Sequence, residues 1–556
     1  MKRRGPTGPD PGTARHGPGP VVTRRGRRVW TGAIVVALSV LGPLALLAMS
    51  GAHGWRGFPL DDAWIHMVYG RAVAHGGYLA YNEGVPAAGA TAPLWAYVLG
   101  LIHAATSRTG TVVLFAKLTG ILFHGLMAWA ASRLLRRLTG SAVASFAAGL
   151  IAGLSPALMV ASVSGMEVSL ACALGLLAIE RYLADDFRTA GILLGLGGLT
   201  RPEYGIVSVL LTLDLSWALC RGRRGLRDVL RFVVPLALAG IGFMTWNLYA
   251  GGRLLPATFY VKAKASAGFP LLARLHYGFK MIMAEPPLAG VLAWLGLFGL
   301  ALSSVLRKSR AAVPLLAALV YTVAQVVLIP PTDPWSFYHI RYLLPTVPLY
   351  WVSLAAGTWA LLAPAAASRP GLAGRPWAKA LARGYAAVFL VGTALLALWG
   401  AAGWRSKFAN DCRNIDELQV ALGKGIDRAF PPQAVIGTVD AGAIKYFGKR
   451  RTVDLAGLNT PDIFRATPAS LDAVVLMPAW TKLPPASCLE TVGLRRTENY
   501  RVTFDPLMNT QVVMVCRSDS PATSVSLMVQ DRTMTLSLKG CDAAQADALR
   551  QLLAEK

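Results

Sequence analysis

Apolar runs of about 20 residues recur between residues 29 and 404 of this 556-residue chain, and each is long enough to cross the hydrocarbon core of a bilayer. Because backbone groups inside a bilayer must bond within their own segment, such runs fold as helices. The composition agrees with this, since 54% of the residues are hydrophobic, only 15% are charged and the mean hydropathy is +0.47. The sequence therefore predicts a polytopic α-helical membrane protein.

The formal net charge of +26 does not indicate nucleic-acid binding, because the basic residues cluster between the apolar runs. Cytoplasmic loops are rich in Lys and Arg, so these clusters predict about eleven spans with the N-terminus in the cytoplasm. The predicted spans are about 29–49, 112–131, 141–162, 168–183, 189–200, 204–220, 229–249, 287–306, 312–330, 343–362 and 384–404. The Pro-, Gly- and Arg-rich segment 1–28 is expected to be a disordered cytoplasmic tail. The predicted location is the cytoplasmic (inner) membrane, with the segment after Trp404 on its outer face.

The membrane module is predicted to cover residues 29–404 and to contain a large first external loop, 50–109. A full span at Thr91–Thr106 would place the basic stretch SRLLRRLTG on the outer side, against the charge rule. This segment is therefore predicted to be a half-embedded interfacial helix.

Residues 405–556 predict an extracytoplasmic α/β domain. Short β-branched runs such as AVIGTV and TQVVMVC are bounded by Gly, Pro and Asp, and CDAAQADALRQLLAEK predicts a closing helix. An oxidising compartment would allow disulfides among four cysteines, with three pairings open. These cysteines are Cys412, Cys488, Cys516 and Cys541.

Two adjacent acids, Asp61 and Asp62, begin the helical stretch DDAWIHMVYGRAVAHGG in the first external loop. Either acid could cap this helix, because a carboxylate at a helix N-terminus accepts backbone N–H bonds. Capping does not need two acids, and adjacent helical residues point about 100° apart, so one acid can face a cavity. Two close carboxylates also raise one pKa, which suits a general base. Asp61 is expected to be the base and Asp62 its orienting or capping neighbour, since Asp61 directly follows the extended FPL.

The stretch PLDDAWIHMVYGRAVAHGGYLAYNEGVPAAGATAPLW resembles the first-loop signature of the GT-C superfamily of polyprenyl-phosphate-dependent glycosyltransferases. This superfamily includes the protein O-mannosyltransferases and the aminoarabinose lipid A transferases. DDAWI, YNEG and GATAPLW are most similar to the bacterial branch of terminal arabinofuranosyltransferases. Further matches are SGMEVSL around Glu167, LTRPEYG around Arg201, LLPATFYVKA around Lys262, HIRYLLP around Arg341 and DAGAIKYFG with VDLAGL in the C-terminal segment.

The resemblance implies a GT-C membrane module and an inverting glycosyltransferase. A sugar, either a pentose such as arabinofuranose or a hexose, would pass from a polyprenyl-phosphate donor to a cell-envelope glycan or lipid acceptor at the outer face. The acidic pair would include the base that deprotonates the acceptor hydroxyl. One carboxylate can suffice, because a phosphate leaving group departs without a protein acid when cations neutralise it.

Cations predicted on the outer side could hold the donor phosphate, and contact with lipid headgroups is an equally open role for each. They are Arg201, Lys262, Lys264 and Arg341. Further candidates for substrate binding are Glu167, Glu203, His339 and Trp95. The two glutamates could instead pair with basic residues, and His339 and Trp95 could be interfacial. No carboxylate cluster predicts a metal site, so no cofactor is required, although a divalent cation is left open.

Two other functions stay open at this point. A transporter or lipid flippase would place charges near the middle of the bilayer in two repeated halves, whereas the charges here lie at span ends and no internal repeat is evident. A non-catalytic assembly or receptor protein would use the C-terminal domain to bind a partner. Turnover of a lipid-linked sugar distinguishes the enzyme from both.

Overall fold

The structure is a computed structural model, and it describes residues 24–265, 270–276, 312–328, 341–367, 395, 402–460, 470–482, 489–497, 509–520, 524–529 and 532–554. Most of the expected tail 1–28 lies outside these residues, but the first helix already begins at Arg24, so residues 24–28 are helical. Of the predicted spans, 287–306 lies outside the described residues, as does nearly all of 384–404.

Helices dominate the chain up to residue 367. In chain order they are α1 Arg24–Met49, α2 Gly51–Arg56, α3 Asp61–Gly76, α4 Pro93–Ala105, α5 Thr109–Thr139, α6 Ala142–Gly153, α7 Pro156–Val163, α8 Val168–Leu183, α9 Phe187–Gly198, α10 Tyr204–Cys220, α11 Leu226–Gly251, α12 Ala257–Ala265, α13 Val313–Leu328 and α14 Val347–Ala367. Each predicted span that falls within the described residues coincides with a helix or with a bent pair of helices.

Three described helices, α1, α5 and α11, are long and apolar enough to cross a membrane. The pair α6 and α7 makes a fourth if it is one span, bent by 56° at its break. Four shorter apolar helices lie at Pro93–Ala105, Tyr204–Cys220, Val313–Leu328 and Leu344–Ala356. The count of about eleven spans remains a prediction.

The predicted first external loop, 50–109, contains the helices α3 and α4 and a short hairpin between them. α3 ends at Gly77, whose φ of +74° suits glycine at a helix C-terminus. The short strands β1 Ala80–Asn82 and β2 Val85–Pro86 then pair antiparallel, and α4 packs on α3. α4 has 13 residues and is about 20 Å long at 1.5 Å per residue, which is shorter than the hydrocarbon core.

The central helix α5 is anchored to the loop by a buried lysine. Lys117 Nζ donates to the carbonyl oxygens of Gly54 (2.9 Å) and Val163 (3.1 Å), and it lies over the rings of Phe58 and Phe408. Its two carbonyl bonds satisfy an ammonium that would otherwise be costly to bury. Lys117 therefore holds the start of the external loop against α5 and α7.

The C-terminal part contains both strands and helices. They are α15 Ala421–Ala429, β3 Val435–Thr438, α16 Ala443–Gly448, β4 Arg451–Asp454, β5 Ala473–Leu476, β6 Thr481–Lys482, β7 Leu489–Arg496, β8 Thr510–Arg517, β9 Ser524–Val529, β10 Arg532–Ser537, β11 Gly540–Cys541 and α17 Ala543–Ala554. One mixed sheet has the order β11-β8-β5-β3-β4, with β7 also paired to β8, and a second has the order β10-β9-β6. β3 is parallel to both of its neighbours, whereas β5 and β8 are antiparallel.

The expected boundary between residues 404 and 405 falls inside a helix, 402–415. This helix continues through a π-helical turn at Asp416–Val420 into α15. Residues from the C-terminal part also share the apolar core of the membrane module, among them Ile415, Ala443 and Tyr446. The two parts therefore pack as one body around the external loop.

The external loop is bonded directly to the C-terminal part. Tyr69 donates to Asn459 Oδ1 (3.0 Å), and Tyr81 donates to the Ala441 carbonyl (2.8 Å). The ring of Trp64 packs against Tyr446 and Phe447, with centroids 5.1 and 4.8 Å away. Aromatic contacts of this kind add to the apolar burial and fix the angle at which the domain sits on α3.

The cysteines form no disulfide within the described residues. Cys412 and Cys541 are free thiols, and Cys488 lies outside the described part of the chain. Neither of the membrane-module cysteines, Cys172 and Cys220, is bonded to another cysteine there.

We predict that the exposed thiol of Cys220 faces the cytoplasm and that the sheet domain faces outward, because basic loops stay inside. Asp519 is exposed on the domain, with 73% of its side chain accessible, so Asp519→Cys provides an external reporter. In intact cells a membrane-impermeant maleimide should label position 519 and should reach Cys220 only after lysis. Labelling of Cys220 in intact cells, with position 519 reached only after lysis, would contradict the predicted orientation.

Candidate active site

Asp61 binds the start of a helix that belongs to the C-terminal part. Its two carboxylate oxygens accept the backbone N–H groups of Gly442 and Ala443, each at 2.7 Å. A side chain at position 442 would collide with Asp61, because a Cβ there would lie 2.1 Å from the Asp61 carbonyl oxygen. Asp61 therefore caps α16, a helix some 380 residues further along the chain.

The expected capping of α3 itself is not observed. The residue before the helix is Leu60, and no side chain bonds the first-turn N–H groups from that position. Of the two acids, Asp61 is the one with capping contacts, and the helix that it caps is α16. Asp61 is occupied by two backbone bonds, and Asp62 faces the neighbouring cations.

A third carboxyl group, Asp440, forms a hydrogen bond with Asp61. The amides of Gln419 and Gln511 both donate to Asp440 Oδ2, at 2.7 and 2.8 Å. Burial, and then the charge of Asp440, raise the pKa of Asp61 well above its ordinary value. The pKa of Asp440 is also raised, first by burial. The two acids therefore favour a form in which one proton lies between them.

Asp62 belongs to a different cluster. Its carboxylate forms an ion pair with Arg341, and 35% of its side chain is accessible. Burial alone would raise the pKa of Asp62, but Arg341 and then Lys262 outweigh it and hold that pKa below its ordinary value. Asp62 is therefore ionised and can be reached by a ligand.

Tyr342 lies at the centre of the cations. The charged groups of Lys262, Arg341 and Arg201 lie 4.8, 5.0 and 5.4 Å from the centre of its ring. Its hydroxyl accepts bonds from Lys262 and from Arg341, the latter at 3.0 Å. Burial raises the pKa of Tyr342, but Arg341 and Lys262 outweigh this effect and lower it. This arrangement concentrates positive charge beside Asp62.

A buried ionic network lies behind this cluster. Glu167 accepts from Arg201 Nη2 at 2.7 Å and lies 3.2 Å from His66 Nε2. Arg201 is also 3.7 Å from Glu203, and its side chain is 4% accessible. Because His66 is four residues after Asp62, both lie on the same face of α3. The network therefore holds α3 through His66, and Arg201 is paired with two acids, Glu167 and Glu203.

The remaining residues expected at the site fall elsewhere. Trp95 is buried, its ring packs near Phe123, and its Nε1 donates to the Gly165 carbonyl at 2.9 Å. His339 lies outside the described residues, as does the side chain of Lys264. Of the residues expected to bind substrate or phosphate, the structure therefore brings Arg341 and Lys262 to Asp62, with Arg201, Glu167 and Glu203 behind them.

A small apolar cavity of about 50 Å³ lies beside Arg341. Its walls come from the external loop, α7, the start of α8, the residues just before α14 and the helix 402–415. Two cations, Arg341 and Lys407, stand among otherwise mostly apolar lining residues. The cation cluster therefore borders a surface on which an apolar chain could lie.

Two residues of this arrangement were not among the expected ones. Asp440 lies in the DAGAIKYFG motif and Tyr342 follows Arg341 in HIRYLLP, so the resemblance covers both stretches without marking either side chain. Both act through contacts that are distant in the chain.

As for metals, the described residues contain no group of three or more His, Cys, Asp or Glu side chains placed to bind one.

We predict that Asp440→Asn reduces the pH dependence of stability. A carboxyl whose pKa is higher in the folded protein stabilises it at low pH, and this stability is lost as the pH rises through the raised value. Wild-type protein should therefore unfold at lower temperature as the pH rises through the raised pKa values of Asp61 and Asp440. The side-chain amide of Asn at position 440 can donate to Asp61 at every pH, because its N–H groups do not titrate. The fall in unfolding temperature with rising pH should therefore be smaller in this variant.

Thermal unfolding in detergent at a series of pH values measures this effect. Asp519→Asn is the matched control, because it removes an exposed carboxylate of the same domain whose nearest cation, Arg517, is 3.7 Å away. Equal slopes in wild type and Asp440→Asn would show that the pair shares no proton.

Residues 413–515 match a family described as "Domain of unknown function (DUF8728)". No curated protein sequence matches the chain. ArnT from Cupriavidus metallidurans, bound to undecaprenyl phosphate, is similar in structure with a TM-score of 0.51 and 14% identity, over 88% of this chain and 98% of that one. The apo oligosaccharyltransferase of Archaeoglobus fulgidus has a TM-score of 0.50 and 14% identity, over 80% and 69%. The chain thus has the GT-C membrane fold.

Proposed function

We propose that this chain is an inverting glycosyltransferase that uses a polyprenyl-phosphate sugar as its donor. The observation that carries the proposal is the cluster of Asp62, Arg341, Lys262 and Tyr342 beside an apolar cavity. It combines an accessible carboxylate, cations for a phosphate and an apolar surface for an isoprenoid chain. These are the three groups that such a reaction needs.

The proposed reaction is a single displacement. Asp62 takes the proton of the acceptor hydroxyl, and the acceptor oxygen attacks the anomeric carbon of the donor sugar from the side opposite the phosphate. The bond between that carbon and the phosphate oxygen breaks, and its electron pair leaves with the polyprenyl phosphate. Arg341 and Lys262 stabilise the charge that develops on this leaving group, so no protein acid is required.

Asp62 rather than Asp61 is proposed as the base. Both oxygens of Asp61 already accept backbone N–H groups, whereas Asp62 is bonded to a cation that a phosphate can share. Arg201, Glu167 and Glu203 are proposed to position α3 and Tyr342 from behind, without touching the substrate.

Structural similarity supports the choice of donor. ArnT from Cupriavidus metallidurans, which has this fold, was crystallised with undecaprenyl phosphate. The finer assignment to arabinofuranose rests on the first-loop resemblance alone, and a hexose donor is its alternative. The proposed acceptor is an envelope glycan or lipid, and the proposed location is the outer face of the cytoplasmic membrane.

Purified full-length protein in nanodiscs should transfer sugar from a polyprenyl-phosphate donor to an extract of envelope glycans and lipids. Asp62→Asn should lower kcat by about 10² to 10⁴, the contribution of a general base, because Asn cannot accept the proton. The KM for donor should not rise, since Arg341 then loses a competing carboxylate. Asp61→Asn should reduce kcat less and lower the unfolding temperature more.

Donors with arabinofuranose and with hexoses, tested in parallel, identify the sugar. Full activity in both Asn variants would contradict the proposed mechanism, and loss only in Asp61→Asn would return the base to that position. Movement of the lipid across the bilayer without any sugar transfer would identify a flippase instead.

We further predict that Arg341→Ala and Lys262→Ala each weaken donor use by about 1.5 to 3 kcal/mol in kcat/KM, the range for hydrogen bonds that involve a charge. Arg341→Lys should recover only part of the loss, because it keeps the charge but not the planar two-pronged guanidinium. Arg413→Ala is the matched control, since Arg413 is exposed and pairs with Glu417. Unchanged donor kinetics in both alanine variants would assign these cations to lipid headgroups.

A further inference from the structure

A second cavity lies beside the C-terminal half of α3, whereas the acidic pair is at its N-terminus. Its volume is about 210 Å³, and it is enclosed by the C-terminal half of α3, the β1–β2 hairpin and α16. Arg71, one of its lining residues, is nine residues after Asp62, which is about 14 Å along the helix at 1.5 Å per residue. This cavity is therefore separate from the acidic pair and its cations.

The walls of this cavity are strongly basic. Four basic side chains line it, and the one acid among the lining residues is Glu83, which is exposed at the hairpin turn. The basic residues are Arg71, His75, Lys445 and Lys449. Of these, Lys449 has a carboxylate of its own, because its Nζ lies 2.8 Å from Asp427.

Arg71 and Lys445 are bonded differently. Arg71 Nη1 donates to the backbone carbonyl of Tyr446 at 2.9 Å, and the Arg71 guanidinium lies 4.5 Å from the centre of the Tyr446 ring. Lys445 Nζ donates to Asn82 Oδ1 (2.9 Å) and to the Arg450 carbonyl (2.7 Å). All these acceptors are neutral oxygens. An ammonium has three N–H groups and a guanidinium has five, so both side chains keep donors for a ligand.

The acid in this cavity only partly offsets the positive charge of its walls. Lys445 is only 5% exposed, and burial, followed by the charge of Arg71, lowers its pKa to about 7, although the charge of Glu83 acts in the opposite direction. No hydrogen bond joins Glu83 to Arg71 or Lys445 among those described above, and an anion placed between the two cations would offset more of the cost of burying them. The volume holds roughly seven waters at about 30 Å³ each, which is room for a phosphate and part of a sugar.

We propose that this cavity binds a phosphate-sized oxyanion, held between the side chains of Arg71 and Lys445. The site is independent of the acidic pair, and it does not rest on the proposed sugar transfer. Its oxyanion could be borne by a soluble glycan or by a lipid headgroup, because both present the same phosphate chemistry. Tyr78, which also lines the cavity, provides an aromatic surface next to the anion.

Calorimetric titration of inorganic phosphate into the full chain tests this site. The protein is held in phosphatidylcholine nanodiscs at constant ionic strength and carries Arg341→Ala, which weakens phosphate binding at the other cation cluster. Arg71→Gln should weaken binding by about tenfold or more, as expected for a charge-assisted hydrogen bond. Glu83→Gln should tighten it severalfold, because it removes the one opposing charge.

Lys449→Gln is the matched control. It removes one positive charge from the same cavity, but that charge is already paired with Asp427 and is 62% accessible, so binding should change less than about twofold. Arg71→Lys should restore part of the affinity lost in Arg71→Gln. Because Glu83 is exposed and its replacement opens no core, the gain in Glu83→Gln tests the site even if Arg71→Gln disturbs docking of the domain.

Two results would overturn the proposal. One is absence of phosphate binding in the background protein, and the other is equal weakening by Arg71→Gln and Lys449→Gln, which would indicate non-specific attraction. Nanodiscs that contain phosphatidylglycerol identify the source. Competition by this lipid supports a headgroup as the occupant, whereas unchanged phosphate binding supports a soluble oxyanion.

Discussion

The position of the C-terminal part depends on the two hydrogen bonds that the Asp61 carboxylate accepts from Gly442 and Ala443. These N–H groups begin α16, and a buried helix start without acceptors is unfavourable. α16 in turn carries Tyr446 and Phe447, which pack on Trp64, and Lys445, which bonds the β1–β2 hairpin. The carboxylate at the first residue of α3, together with these contacts, therefore determines how the sheet domain sits over the external loop.

The ionic network of His66, Glu167 and Arg201 holds the same helix against the helices of the membrane module. Charges that are buried near a bilayer persist when they are paired and bonded. Glu167 lies at the start of α8 and Arg201 precedes α10, so their ion pair joins two helices of the module and reaches α3 through His66. Removal of Glu167 would leave Arg201 with only the longer contact to Glu203, and removal of Arg201 would leave Glu167 with only His66. Asp62, one turn before His66 on α3, is therefore held in place by the ion pairs that join α3 to α8 and to the residues before α10.

Local patterns in the sequence predicted much of this architecture. The apolar runs located helices of the described part, and β-branched runs located some strands of the C-terminal part, among them β3, β5 and β8. The charge rule indicated that Thr91–Thr106 does not span the membrane, and α4 in this stretch has 13 residues. The pattern around DDAWI also placed two acids at the start of α3. What these patterns could not provide was the partner of each acid. The partner of Asp61 lies 381 residues away and that of Asp62 lies 279 residues away, and no local periodicity encodes such pairs.

For the same reason local patterns could not decide between the two acids. The rule that Asp at a helix start caps its own helix is local, and here the nearest orphan N–H groups belonged to another part of the chain. Asp440 and Tyr342 were missed because each matters through side chains that only the fold brings together. The raised pKa expected for one acid of the pair does occur, but burial and Asp440 contribute more to it than the neighbouring Asp62.

In many enzymes, of two carboxyls with opposite pKa shifts, the one with the raised pKa performs the acid–base chemistry. The opposite assignment follows here from what each group contacts. Asp61 has a raised pKa, but both its oxygens accept bonds that an acceptor hydroxyl would have to displace. Asp62 has a lowered pKa because Arg341 and Lys262 face it. A donor phosphate would bring negative charge to those same cations, which would weaken their effect on Asp62 and raise its pKa. The base would then gain strength only when the leaving group is in place.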